Sequence, residues 1–186
     1  MSPLEMAEWV ATTPWSVALH ESLYVYPLIE SVHVLTICLF VGTLATVDLR
    51  LLGLAFANAP VSEVSARMLP WTVAGFAMMA VTGALLFYAI PVRTYQSLWF
   101  RVKFLLLIAG AINAWRFHRR VERDRAVWDD APRPPRGARV AAGASLAIWA
   151  GVIVMGRMIA YNWFDCDRQP QAAFVNWFAG CVVEVP

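Results

Sequence analysis

Four long apolar stretches dominate this chain and leave few folds open to it. They cover about residues 27–49, 68–91, 96–115 and 140–161. Each is close to the ~20 residues that a helix needs to cross the hydrocarbon core of a bilayer. The second has no charge between Arg67 and Arg93. In the others the charges sit near the ends: Glu30 and Asp48, Arg101 and Lys103, and Arg157. Lipid cannot satisfy an exposed backbone, so such stretches predict an all-α, polytopic four-helix bundle in a membrane.

Composition agrees. The set AVILMFWYC makes up 60% of the 186 residues and charged residues make up 15%, against roughly 25% in an average globular domain. That excludes a disordered chain. Fifteen basic residues against thirteen acidic ones give a net charge of +2, too little to serve a nucleic-acid binder. Three cysteines make neither a disulfide scaffold nor a zinc site.

The charges are distributed unevenly. Arg116, Arg119, Arg120, Arg123, Arg125, Arg133, Arg136 and Arg139 fall in loop 116–139, opposed only by Glu122, Asp124, Asp129 and Asp130. The first 30 residues hold four Glu and no Lys or Arg. The positive-inside rule puts loop 116–139 in the cytoplasm and both termini outside, so the protein is expected in a bacterial inner membrane, N-out and C-out. Three parts follow: a periplasmic interfacial segment 1–26, the four-span domain 27–161 and a periplasmic tail 162–186. No basic n-region precedes an early apolar run, so no cleavable signal peptide is expected. Thr13 before Pro14 predicts a short surface helix over 14–24, and residues 129–139, with Pro132, Pro134 and Pro135, read as a turn-rich connector. Trp71 and Trp115 would mark the inner interface, Trp99 and Trp163 the outer one. In the tail, an oxidising compartment favours a Cys166–Cys181 disulfide over two free thiols. Cys38 reads as a buried packing residue of the first span.

Ionisable groups within a span are costly and are functional candidates by default. At 1.5 Å per residue, His33 lies ~9 Å and Glu30 ~5 Å below residue 27. By the same rise Lys103 lies ~10 Å below residue 96 and Arg157 ~6 Å below residue 161. Three helices thus carry ionisable groups at similar depth in the outer leaflet, with Arg101 just above Lys103. At 100° per residue Glu30, His33, Ile37, Phe40, Leu44 and Asp48 form one stripe, and Lys103, Leu107, Gly110, Ala111, Ala114 and His118 share a face. Snorkelling charges and a hydrogen-bonded structural histidine are the plain alternative. At the inner end Asp48, Arg50 and Asn113 read as a clamp between the first and third spans. Gly75, Gly83, Gly110, Gly151 and Gly156 permit close helix approach or leave room for a flat cofactor.

The runs around ESVH and VDLRLLG (30–53), PWTVAGFAMMAVTG (70–83), FRVKFLLLIAGAINAWRFH (100–118) and GVIVMGRMIAY (151–161) resemble a widespread family of uncharacterised bacterial four-helix membrane proteins, over about residues 24–161. A more distant likeness is to the CopD copper-resistance proteins and to the HemJ-type protoporphyrinogen oxidases, carried by His33, Gly42, Trp99, Lys103 and the run 111–116. The acidic N-terminus and the Cys166–Cys181 tail belong to neither of these two. The HemJ likeness implies haem b; the CopD likeness implies copper passage.

The expectation is therefore a b-type haem-binding electron-transfer protein. His33 would ligate iron, Arg157, Arg101 and Lys103 would neutralise propionates or a quinone, Glu30 would lie beside them, and His20 could fold back as a second ligand. Its partners would be the lipid bilayer and a periplasmic redox protein, a larger membrane complex or a second copy. Two alternatives stay open: a non-catalytic anchor of a larger complex, with Trp9, Trp15, Trp163 and Trp177 as docking residues, and CopD-like transport of copper or a small molecule.

Overall fold

The computed structural model describes residues 1–161 and 163–182. It is all-helical, with no strand among the described residues. Two short helices, α1 (Pro3–Ala11) and α2 (Pro14–His20), precede the long α3 (Val25–Leu52) and α4 (Val61–Ala89). A one-turn α5 (Pro91–Tyr95) leads into α6 (Leu98–Arg120). A single turn, α7 (Arg125–Trp128), precedes α8 (Arg136–Met158), and α9 (Ala173–Ala179) lies in the tail. The four long helices, α3, α4, α6 and α8, are apolar and long enough to cross a membrane.

Local chemistry sets the breaks. α3 ends on Gly53 in the left-handed region (φ 74°), the C-terminal cap that glycine adopts without a Cβ penalty. A side chain there would also meet the Pro132 carbonyl at 2.8 Å. α4 stops where Pro91 follows Ile90, because the residue before a proline is pushed out of the α region; Pro91 then opens α5. α6 starts on Ser97, which is buried and accepts from the Phe100 N–H. α2 does start on Thr13 and Pro14, but it ends at His20. α4 begins seven residues before the apolar run, through a polar turn that carries the Glu63–Arg67 pair. Its first turn is capped from far away in sequence. The Ser62 N–H donates to the Asp129 carboxylate at 2.8 Å and the Ser62 hydroxyl bonds the same group.

α3 packs most closely on α4, α6 on α8, and α3 on α8; α4 and α6 are not a packed pair. Gly75 lets α4 approach so far that a Cβ would lie 3.0 Å from the Phe40 nitrogen. Phe40 is buried there against Phe76 and edge-on to Trp149, at 4.7 Å. Along the α3–α4 seam hydroxyls bond the preceding turn: Thr36, Thr43, Thr72 and Thr82 all do so. This satisfies them without water. The Thr72 and Thr43 hydroxyls also meet across the seam, 2.9 Å apart. The other large apolar side chains of the long helices are mostly half-buried or exposed, and the exposed ones form the surface a bilayer covers.

Both terminal segments pack at the α5 end of the bundle. Thr13 Oγ1 bonds the Tyr88 hydroxyl and Ser16 Oγ donates to the Tyr88 carbonyl. From the tail, Asp165 pairs with Arg93 at 3.1 Å and the Gly180 carbonyl accepts from Gln96. Cys166 and Cys181 form the disulfide that closes this tail.

Three expectations are corrected here. Cys38 is exposed on α3, because the buried stripe runs through Thr36 and Phe40 instead. The inward face of α6 is rotated: Gly110 is buried, while Ala111, Ala114 and His118 are exposed. Asp48, Arg50 and Asn113 do not form one clamp. The Arg50 guanidinium holds loop carbonyls of Ala59, Asp129 and Ala131. Asn113 donates to the Ala141 carbonyl on α8, and Asp48 faces Ser145 on α8.

Candidate functional site

Two turns from Phe40 toward the α5 end, α3 presents His33 to α4. The ring is half-buried and lies on Gly83, where an added Cβ would stand 3.2 Å from His33 Cε1. His33 Nδ1 is 2.8 Å from Thr82 Oγ1. Thr82 Oγ1 also lies 2.8 Å from the carbonyl of Met78. When the Thr82 proton is on the Met78 or Met79 carbonyl, the His33 Nδ1–H donates to Thr82 and Nε2 keeps its lone pair for a ligand. A ligating histidine is held in this way by its other nitrogen.

Lys103 comes from α6. Its ammonium reaches α8, where a Cβ on Gly156 would meet Nζ at 3.2 Å. Gly83 and Gly156 thus seat polar side chains, besides letting helices approach. Lys103 lies close enough to His33 for the two to interact electrostatically. No described residue forms an ion pair or hydrogen bond with the Lys103 ammonium. One turn earlier on the same helix, the Trp99 indole N–H is buried without an acceptor, its ring against Phe164 at 5.5 Å. The set offers one basic lone pair and two donors that lack an oxygen. No carboxylate belongs to it.

The other candidate residues lie elsewhere at the α5 end. Arg101 donates to the Tyr95 carbonyl, stacks on the Tyr95 ring and lies against Gly180. Arg157 is exposed and stacks on Tyr161. Glu30 is exposed on α3, one turn after Tyr26. His20 is exposed at the end of α2, edge-on to Tyr26. It lines an open cavity of about 410 Å³ together with Glu21, Ser16 and Arg93. Lys103 stands within electrostatic range of His33, and Arg101, Arg157, Glu30 and His20 lie apart from both.

These positions bear on a haem. His33 Nε2 suits an iron, and Lys103 and Trp99 suit an anionic oxygen. No second imidazole stands at that depth, since His20 is at the surface and His118 lies near the far end of α6. The α3–α4 seam at Gly75 and Gly83 is too close for a planar group. Sequence reasoning missed Thr82. A hydroxyl next to a small residue on the facing span was its only signal.

No curated protein and no solved structure matches this chain. Residues 8–162 match the DUF6644 family, described as a family of unknown function, and the chain belongs to that family.

Proposed function

We propose that the chain is an electron-transfer protein of the bacterial inner membrane, N-out and C-out, whose redox group sits between His33 and Lys103. One observation carries this reading: an ammonium without a partner inside the bundle, beside an imidazole whose Nε2 is free. Burying such a cation is costly unless something completes it. A b-type haem would be held by His33, with Lys103 and the Trp99 N–H as donors to its acidic groups. The haem would supply one-electron chemistry. His33 is the one imidazole at this site, and a second copy of the chain could supply another. The HemJ-like pattern of His33, Trp99 and Lys103 points the same way. Electrons would pass to or from a quinone or a periplasmic redox protein.

A quinone head group is the second reading, and the two unsatisfied donors favour it. Its carbonyls would accept from Lys103 and Trp99, and α4 and α6, which do not pack as a pair, would leave a way in from lipid. A copper path has less support, because no three His, Cys, Asp or Glu side chains gather among the described residues.

The test is the absorption spectrum of full-length protein purified after haem-supplemented expression. A Soret band with a reducible α-band, lost in His33→Ala, supports the haem. A colourless protein that retains extracted quinone, and loses it in Lys103→Met, supports the second reading. A preparation with neither overturns both.

A further inference from the structure

At the end opposite the termini, an open cavity of about 300 Å³ lies between the C-terminus of α3 and the first turns of α8. Its walls are Leu52, Leu54 and Val140, and its polar groups come from Arg136 and Arg139. Leu54 is 74% and Val140 62% exposed. Neither guanidinium makes an ion pair or hydrogen bond with a described residue. Asp129 does not relieve them, since both its oxygens are turned to Ser62. Asp130 is exposed and pairs with no described arginine.

Two uncompensated guanidiniums one turn apart are a receptor for a planar or tetrahedral oxyanion. Their position adds a second requirement. Arg136 and Arg139 stand where α8 passes from its polar first turn into its apolar span, and the exposed Leu54 and Val140 beside them need hydrocarbon cover. One ligand meets both demands: an anionic head attached to acyl chains. We propose that this cavity binds the phosphodiester head group of an anionic phospholipid, with Arg136 and Arg139 on the phosphate and Leu52, Leu54 and Val140 along the start of the chains. Basic pockets between spans on the cytoplasmic side bind such head groups. The reading is independent of the redox site, which lies at the other end of the bundle.

The test is a titration of detergent-purified full-length protein, read as the shift in melting midpoint. The probes are dihexanoyl phosphatidylglycerol, dihexanoyl phosphatidylcholine and inorganic phosphate. Phosphatidylglycerol is expected to raise the midpoint saturably, and phosphatidylcholine and phosphate at equal concentration to do so far less. Each arginine near an anionic head group is worth about fivefold in affinity, so Arg136→Gln/Arg139→Gln should weaken the phosphatidylglycerol response by about 30-fold. Arg119→Gln/Arg120→Gln, outside the cavity, should leave it unchanged. Val140→Asp puts a carboxylate in the cavity with both arginines intact and should abolish the response, which keeps the test decisive if the double variant is poorly folded. An equal response to inorganic phosphate, an equal loss in the Arg119/Arg120 variant, or full retention in Val140→Asp overturns the proposal.

Discussion

Arg50, fully buried, and Lys103, half-buried, are both cations on the long helices, and they are housed in opposite ways. Arg50 is 0% exposed; its Nε and Nη2 donate to the carbonyls of Ala59, Asp129 and Ala131, and its Nη1 is buried without an acceptor. It ties the α3–α4 loop to the segment before α8. Lys103 is seated just as deliberately, against Gly156, yet no oxygen of a described residue meets it. Burial alone does not separate a structural charge from a functional one. The partners do: a cation that donates to several backbone carbonyls holds the fold, and one that donates to none costs the fold desolvation and returns nothing to it.

The sharpest way to break this contrast is Arg50→Leu. It would leave the Ala59 and Ala131 carbonyls without a side-chain donor, while Asp129 keeps the Val61 N–H, and breaking a buried charged network of this kind costs about 3–5 kcal/mol. We expect loss of the folded, monodisperse species in size-exclusion chromatography and a large fall in melting midpoint. Arg50→Lys should rescue little, because one ammonium cannot span the fork of donors that a guanidinium presents. A midpoint equal to that of the unaltered protein would make Arg50 no more architectural than Lys103.

The termini end offers a milder break. Cys166 and Cys181 are 15 residues apart, and closing a loop of that length is worth about 3 kcal/mol in the chain-entropy account. Cys166→Ser should free the tail to limited proteolysis while the four long helices melt as before, because the tail meets them through few bonds, chiefly Arg93–Asp165 and Gln96–Gly180. Coincident loss of the bundle would mean that the tail is part of the core.

Smaller again is the effect of one methyl group in the seam. A Cβ on Gly75 would stand 3.0 to 3.2 Å from the backbone and Cβ of Phe40, atoms that cannot swing aside, so Gly75→Ala should cost about 1–3 kcal/mol by overpacking. Gly42, on α3, has nothing within 4 Å, and Gly42→Ala should be neutral. Equal midpoints for the two would mean that α3 and α4 are less closely apposed.

How much of this was legible beforehand depends on the range of the interaction. The four spans and the stripe from His33 through Phe40 to Asp48 follow from apolar runs and a 3.6-residue period, which are local. The Thr13 start of α2 is local too. Thr82, Gly83 and Gly156 were not legible as seats, because a period tells which face is buried and not which residue faces it. The face of α6 was misread for a related reason. Small residues at 111 and 114 suit both a close seam and a lipid surface, and the larger Asn113 and Phe117 turned out to be half-buried. Arg50 was read as reaching the third span, since nothing local announces that loop carbonyls 79 and 81 residues away will take its protons.

The smallest expected change in stability carries the most information. Lys103→Met keeps the length and flexibility of the side chain and removes the ammonium. No hydrogen bond or ion pair with a described residue is lost, while the desolvation cost of the charge disappears. Replacing a buried charge by a hydrophobic residue of similar volume is often neutral or stabilising, so the midpoint should stay within about 1 kcal/mol of the unaltered protein or rise. The redox signal or bound quinone of the proposed site should fall sharply in the same preparation. That dissociation is what Arg50 cannot produce, since its loss takes fold and function together. A large drop in midpoint for Lys103→Met would mean that the ammonium holds the α6–α8 pair together, and the distinction between the two cations would fail.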